Sequence, residues 1–332
     1  MSMKIDFHNH FFPRSYIQEL RSRIGFPRVG KDSKGDEQLF QFEGMKIPIT
    51  ETMFDFSKRL FVMDQAGIDM QVLSLTVPGV ERVEPDLGKR LARETNNELS
   101  EIVSNHEDRF AGIASLPLQD PEAALEEFDR AIKSLSLNAV EVYSNVNGEP
   151  LDSPKFWPVF ERADKLDVPV FLHPTIPAAT TGMVDYDLVE AIGFVNDTTV
   201  ALTRLILSGM LEKNRKLKIV VGHLGGTFPY LIGRLDEQYS ITPEAQVNVS
   251  KPPSKYLNRF YFDTTTNLPE CVEFGVSLIG PDSLVMGSDY PIWPIEHALR
   301  TIEKARIPES AKSQIFSRTA QKLLVNKRWS NN

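Results

Sequence analysis

Eight short apolar runs, rich in β-branched and aromatic residues, recur along the chain, and this repetition restricts its fold more than any other feature. Each run is followed by a break and then by a stretch of helical periodicity, as in "PEAALEEFDRAIKSL" and "PIEHALRTIEKA". Strand and helix patterns that alternate eight times are typical of α/β proteins with a parallel barrel, so we expect a (β/α)8 TIM barrel. The predicted strands span residues 3–8, 70–76, 110–117, 138–144, 168–174, 218–223, 259–265 and 283–291.

Two segments are longer than an ordinary barrel loop. Residues 12–53 follow the first predicted strand, and the alternation in "QLFQFEGMKIPIT" predicts a small β-element inserted on the catalytic face. Residues 240–258 form the second long segment and contain three prolines. Because α/β barrels reach this length around one core, we expect residues 1–332 to form one domain with an insertion at about 12–53.

Composition argues against several classes of partner. The formal net charge is −8 and there is no long basic run, which disfavours nucleic acid and anionic membranes because phosphate binding depends on Lys and Arg. The N-terminal residues lack the apolar centre of a signal peptide, and no stretch has the apolar length of a membrane span. Cys271 is the only cysteine, so an intrachain disulfide is excluded and we expect a reducing, cytoplasmic location.

Five polar residues stand at the carboxyl ends of predicted strands, where barrel enzymes carry out their chemistry. They are His8, His10, His173, His223 and Asp289. Strand alternation places His8 and His10 on one face, with Asp6 one step deeper on the same face. A single histidine at such a place is commonly structural, but several imidazoles and a carboxylate in one mouth need partners, which a divalent cation provides. Histidines with a carboxylate suit Zn²⁺ and would also accept Mn²⁺ or Fe²⁺.

This pattern resembles the amidohydrolase superfamily. Within it, "HNHFFP", "MDQAGIDMQVLSL", "GHLGGTFPYLIGRLD" and "MGSDYP" are similar to the group typified by 2-amino-3-carboxymuconate-6-semialdehyde decarboxylase. The resemblance implies a mononuclear site, because the strand-4 lysine of the binuclear members is absent from "VEVYSNVNG". It further implies one divalent ion, Zn²⁺ with Mn²⁺ as the alternative, and His223 as the acid/base beside it. The implied metal ligands are His8, His10, His173 and Asp289.

The candidates for substrate contact are less specific. Phe194 and Trp293 could stack on an aromatic substrate, although core packing is the commoner role of such residues. Asn145 and Asn147 follow strand 4, where short polar side chains either point into the mouth or form a turn. The decarboxylase that typifies the group binds a dicarboxylate with two arginines, but the corresponding regions here contain Lys46 and no arginine, which disfavours that substrate.

The resemblance implies two enzymatic functions for one site. The function we favour is decarboxylation of a conjugated or aromatic acid, in which His223 delivers a proton to the carbon that bears the carboxylate and CO2 leaves. The alternative is hydrolysis of a lactone, amide or C–C bond, with His223 or Asp289 as the base. A non-catalytic metal-binding protein on the same scaffold is a third interpretation. We also expect a small-molecule carboxylate substrate and a homodimer, with residues 240–258 as a candidate contact.

Overall fold

The computed structural model describes residues 3–42 and 45–324. Its strands and helices alternate along most of the chain. The strands are β1 (Ile5–Phe11), β2 (Arg28–Lys31), β3 (Glu37–Phe42), β4 (Met45–Pro48), β5 (Met70–Leu75), β6 (Phe110–Ala114), β7 (Ala139–Tyr143), β8 (Asn145–Val146), β9 (Glu149–Pro150), β10 (Val170–His173), β11 (Ile219–Val221), β12 (Phe260–Asp263) and β13 (Leu284–Val285). The predicted single domain also includes residues 1–2, 43–44 and 325–332, which lie outside the described residues.

The barrel consists of eight parallel strands in the order β1, β5, β6, β7, β10, β11, β12 and β13. It closes where the chain after β13 returns to β1. There the Phe7 N–H donates to the Met286 carbonyl at 2.8 Å, and the His10 N–H donates to the Tyr290 carbonyl at 2.7 Å. Each barrel strand overlaps one of the eight predicted strands, so the prediction of a TIM barrel is confirmed.

The helices pack outside the barrel strands. They are α1 (Arg14–Ser22), α2 (Phe56–Ala66), α3 (Pro85–Asn105), α4 (Pro121–Lys133), α5 (Trp157–Leu166), α6 (Phe194–Leu207), α7 (Met210–Lys213), α8 (Phe228–Ile241), α9 (Pro269–Leu278), α10 (Ile295–Lys304), α11 (Glu309–Ser313) and α12 (Thr319–Leu323). Gly209, whose φ of 80° lies in the left-handed region, separates α6 from α7. No helix in the described ranges combines the length and apolar character that a membrane span needs.

The insertion after β1 contains α1 and the antiparallel sheet β2–β3–β4. The predicted β-element is therefore present, and α1 is an addition to it. Apolar side chains of the insertion, among them Tyr16, Leu39 and Ile47, pack in one cluster with Leu75 and Val77 at the end of β5. This packing holds the insertion over the carboxyl end of the barrel, where it forms part of the wall of the site.

A bulge in β1 changes which of its side chains point into the barrel. The pairing of β1 with β5 shifts register between Asp6 and Asn9, and Phe7 joins the apolar cluster inside the barrel. The Asp6 carboxylate points away from this interior and accepts hydrogen bonds from Gln71 Nε2 at 2.9 Å and Ser288 Oγ at 2.6 Å. The expectation that Asp6 shares the face of the two histidines is wrong, because the bulge interrupts the regular alternation.

Candidate metal centre and active site

Four buried side chains converge at the carboxyl end of the barrel. His8 and His10 come from β1, His173 is the last residue of β10, and Asp289 follows β13. One potential ligand atom from each lies within 4.8 Å of the others. His10 Nε2 is 3.0 Å from both His8 Nε2 and Asp289 Oδ1. The structure therefore brings together the four side chains that the family resemblance implies as ligands.

The hydrogen bonds of His173 test whether this set fits a cation. Its Nδ1 lies 2.7 Å from the Pro174 carbonyl oxygen, which can only accept, so Nδ1 carries the proton. The lone pair is then on Nε2, which is buried and has no hydrogen-bond partner among the described residues. Such an atom is costly to bury unless something binds it. Three imidazole nitrogens and a carboxylate oxygen suit one divalent metal ion, and the four residues fit it.

Two further residues orient His8 and His10 through contacts with their Nδ1 atoms. Asp263, the last residue of β12, lies 2.5 Å from His8 Nδ1 through Oδ2, and Ser74 Oγ of β5 lies 3.1 Å from His10 Nδ1. Because both Nδ1 atoms are occupied, both Nε2 atoms face the point where the ligands converge. Neither residue was predicted from the sequence, although Asp263 lies near the end of a predicted strand, the same position that identified Asp289.

Burial and neighbouring charges set the pKa values of the site. Burial alone would raise the pKa of Asp289, but the adjacent histidines outweigh it and lower this pKa to about 2. Burial lowers the pKa of His10 to about 4 and holds the pKa of His173 well below its usual value. Burial also opposes a charge on His8, but the carboxylate of Asp263 keeps the pKa of His8 raised. The pKa values of Asp289, His10 and His173 therefore favour the ionised carboxylate and neutral imidazoles that bind a metal ion, whereas His8 would lose a proton when it binds one.

The backbone at the rim is held in unusual conformations. Asp289 has a φ of 60° and His223 a φ of 52°, values that are uncommon outside glycine and often occur at functional sites. Gly287 lets the chain before Asp289 pass close to β1, since a Cβ there would lie 2.8 Å from His8 Cβ. At Gly226, with a φ of 64°, a Cβ would lie 2.1 Å from a carbonyl oxygen of α6. The glycines therefore permit the close packing that aims these two side chains.

His223 stands beside the four ligands and is not one of them. Its ring centroid lies 5.1 Å from that of His8 and 6.3 Å from that of Trp293. The ring is half-buried and lines a cavity. Burial lowers the pKa of His223, while the negative charge of Asp289 acts in the opposite direction. A histidine in this position is able to exchange a proton with a molecule bound in the cavity.

The cavity has a volume of about 230 Å³ and opens above the metal ligands. Its inner end carries His173, His223 and Asp289. Most of its wall is apolar and comes from the insertion, the segment after β5, the start of α6 and the segment after Asp289. These apolar residues include Met45, Ile47, Val77, Phe194, Ile292 and Trp293. Both aromatic residues predicted as substrate contacts therefore line the cavity.

The other predicted substrate contacts lie elsewhere. The side chain of Asn145 donates to Asp197 Oδ2 at 2.7 Å, and that of Asn147 donates to a backbone carbonyl at 2.8 Å. Lys46 Nζ lies 3.2 Å from Asp32 Oδ2 on the outer face of the insertion sheet. None of these three side chains is among those that line the cavity. In β4 the alternation turns the neighbours of Lys46 toward the cavity instead.

A buried arginine ties β1 to its neighbours beneath the site. Arg59 of α2 is fully buried and donates to the His10 carbonyl at 2.6 Å, to Asn9 Oδ1 at 2.8 Å and to Gln71 Oε1 at 2.7 Å. Because His10 is a ligand residue, this guanidinium fixes the backbone from which the ligand projects. The sequence gives no signal for it, since an arginine in a helical pattern is usually solvated.

Comparison with known proteins finds matches over nearly the whole chain. Residues 5–325 match the family model for amidohydrolases. A 2-amino-3-carboxymuconate-6-semialdehyde decarboxylase from Dictyostelium discoideum is 31% identical over 330 residues, which cover 98% of this chain and 89% of the relative.

Two solved structures are similar over nearly the whole chain. The 5-carboxyvanillate decarboxylase from Sphingomonas paucimobilis is 28% identical with a TM-score of 0.86, and the match covers 98% of this chain and 99% of that one. A dihydroxybenzoic acid decarboxylase from Polaromonas sp. JS666, solved with bound manganese and the inhibitor 2-nitroresorcinol, is 28% identical with a TM-score of 0.78. That match covers 99% of this chain and 98% of the other.

Proposed function

Because the chain belongs to the amidohydrolase family, we propose that it is a metal-dependent decarboxylase of an aromatic or conjugated carboxylic acid. One observation carries the proposal: the ligand set of His8, His10, His173 and Asp289 converges beside His223 at the inner end of an apolar cavity. The similar proteins named above are decarboxylases, which supports this reaction over others of the same fold.

We propose Zn²⁺ as the native ion, with Mn²⁺ as the alternative. Neutral imidazoles and one carboxylate suit Zn²⁺, and they also accept Mn²⁺, which is the ion bound in the dihydroxybenzoic acid decarboxylase. When bound, a divalent ion at these four residues supplies a positive centre that holds a substrate oxygen and stabilises negative charge developing there.

The side chains of the cavity divide the remaining tasks. His223 would deliver a proton to the ring or chain carbon that bears the carboxylate, after which the C–C bond breaks and CO2 leaves. Asp289, whose negative charge faces His223, favours the protonated form of that ring. The walls formed by Phe194 and Trp293 would hold an unsaturated, planar substrate and keep water away from it.

The same residues could instead support hydrolysis, with His223 or Asp289 as the base. Product analysis separates the two reactions, because decarboxylation releases CO2 and hydrolysis adds water to the substrate. We therefore propose a screen of the metal-loaded protein against hydroxybenzoates, carboxymuconate-like acids and lactones. An acid that loses CO2 supports the decarboxylase, and a substrate that only gains water contradicts it.

His223→Asn tests the proton transfer directly. We expect turnover to fall by about 10²- to 10⁴-fold while the bound metal, measured by elemental analysis, stays at the wild-type level. His297→Asn is the matched control, because His297 lies on α10 away from the cavity. A His223→Asn protein that keeps near-normal turnover would show that another group moves the proton.

We also propose a homodimer in the cytoplasm. Three large apolar side chains on α8 and in the segment after it are strongly exposed: Tyr230 by 80%, Ile241 by 67% and Val247 by 74%. Exposed apolar groups of this kind favour association, and residues 240–258 contain two of them, Ile241 and Val247. Sedimentation at the mass of a single chain would contradict the dimer. The single cysteine supports a reducing compartment.

A further inference from the structure

The charges along the cavity are distributed unevenly. Within residues 3–42 and 45–324, no lysine or arginine lines the cavity, whereas two carboxylates outside the ligand set do, Asp187 and Glu190. Lys46, which was predicted as a substrate contact, is paired with Asp32 on the outer face of the insertion. No described residue of the cavity wall therefore supplies a fixed positive charge, and a cation held by the four ligands would be the positive centre that attracts a carboxylate.

Glu190 is a carboxyl group without a partner. It lies in the turn Val189–Gly193 that leads into α6, and its side chain is half-buried. No described residue gives it a hydrogen bond or an ion pair, and burial raises its pKa to about 7, with further contributions from Asp187 and Asp289. A half-buried carboxyl group that faces a cavity is stabilised by a donor from whatever fills that cavity.

We propose that Glu190 determines substrate specificity: it accepts a hydrogen bond from a hydroxyl or amino group of a monocarboxylic acid and excludes acids with a second carboxylate. The inference rests on the proposed function, since it assumes that the reacting carboxylate lies at the metal end. A second carboxylate further out would face Glu190 and Asp187 without a cation to offset the repulsion.

This assignment distinguishes among the acids named for the similar proteins. The names 2-amino-3-carboxymuconate-6-semialdehyde and 5-carboxyvanillate describe acids with two carboxylates. A dihydroxybenzoic acid has one carboxylate and two hydroxyl donors. The cavity fits the second kind of acid, and 31% identity to an enzyme of the first kind does not change the charges that line it.

A matched series of ligands tests the proposal. Benzoates with a hydroxyl, a methoxy or a carboxylate group at position 2, 3 or 4 compare a substituent that donates a hydrogen bond with one that cannot donate and one that carries charge. Their binding to the metal-loaded protein is measured by calorimetry, which needs no turnover, at about pH 8 so that a carboxyl group with a pKa of about 7 is mostly ionised. At one position or more, we expect the hydroxy acid to bind at least about tenfold more tightly than its methoxy and carboxylate counterparts.

Two variants assign the preference to one residue. Glu190→Gln should improve binding of the dicarboxylate by about tenfold at that position, because the charge is removed and the shape is kept. Glu190→Leu should abolish the difference between hydroxy and methoxy acids. Glu126→Gln, an exposed change on α4 that removes the same charge away from the cavity, should leave all ratios unaltered.

The outcomes separate this inference from the proposed reaction. A dicarboxylate that binds the wild-type protein as tightly as the best hydroxy acid overturns the assignment, and so do ratios that Glu190→Gln leaves unchanged. CO2 release is measured separately on the same acids. If the acids bind with the expected ratios but none loses CO2, the assignment of Glu190 stands and the decarboxylase function fails.

Discussion

The carboxylate of Asp263 decides which ring nitrogen of His8 carries a proton. Its Oδ2 lies 2.5 Å from His8 Nδ1, while Oδ1 accepts from the backbone N–H of Thr265 at 2.9 Å and of Leu224 at 3.2 Å. Because both oxygens can only accept, the proton of His8 stays on Nδ1 and the lone pair of Nε2 faces the other ligands.

Asp263→Asn should reverse this arrangement. The amide oxygen would stay with the two backbone N–H groups, which leaves the amide NH2 facing His8 Nδ1. The ring must then accept at Nδ1 and carry its proton on Nε2, the atom that would bind the metal. Loss of such an orienting partner lowers metal affinity by about 10- to 100-fold, equivalent to about 1.4 to 2.7 kcal/mol.

The assay is a competition titration of chelator-treated protein with Zn²⁺ or Mn²⁺. Asp86→Asn is the control, because the side chain of Asp86 is 98% exposed and pairs with Lys89 at the surface. Thermal unfolding of both metal-free variants shows whether the fold is retained. A folded Asp263→Asn protein that binds metal as tightly as the wild type would refute the tautomer argument.

Two predictions concern the buried polar groups around the barrel. Arg59→Met removes the donors to Asn9, Gln71 and the His10 carbonyl of β1. The free energy of unfolding, measured in urea, should fall by about 3 to 5 kcal/mol, and a fall below about 1 kcal/mol would contradict this prediction. Burial raises the pKa of Glu81 from 4.5 to about 8, so the folded protein binds more protons than the unfolded chain between these values and stability falls as pH rises. The free energy of unfolding should fall by up to about 1.4 kcal/mol per pH unit. Urea unfolding across this pH range should show a smaller fall in Glu81→Gln, where buried Glu141 still contributes. A fall of the same size in Glu81→Gln and the wild type would contradict the assignment to Glu81.

The site residues at the strand ends could be predicted from the sequence, because the carboxyl ends of all strands of a parallel barrel lie at one rim. His173 and Asp289 lie far apart in the chain, yet each stands at or just beyond the carboxyl end of a strand of one parallel barrel, and this places their side chains at the same rim. Phe194 and Trp293 were predicted from a different signal, the ability of an aromatic ring to stack on an aromatic substrate.

Contacts that depend on register or on three-dimensional pairing could not be predicted in this way. The bulge in β1 turned Asp6 away from the histidines, and the register of β3 with β4 directs Lys46 outward. Glu190 and Arg59 lie in helical segments, where the identity of the residue does not reveal whether the side chain faces solvent or the site. Asp263 was within reach of the sequence argument, since an acidic residue at the end of a predicted strand is the same signal that identified Asp289.

Metal binding and acid binding should be coupled in this protein. The net charge is −8, and the described cavity wall contributes Asp187, Glu190 and Asp289 but no lysine or arginine. Without a cation, a carboxylate entering the inner end would face Asp289, which is ionised because its pKa is lowered to about 2. With a divalent ion at the four ligands, the electrostatic potential at the same position becomes positive. Calorimetry on chelator-treated protein should therefore show binding of hydroxybenzoates weakened by at least about 100-fold, and retained affinity would mean that the acid is held by groups outside this cavity.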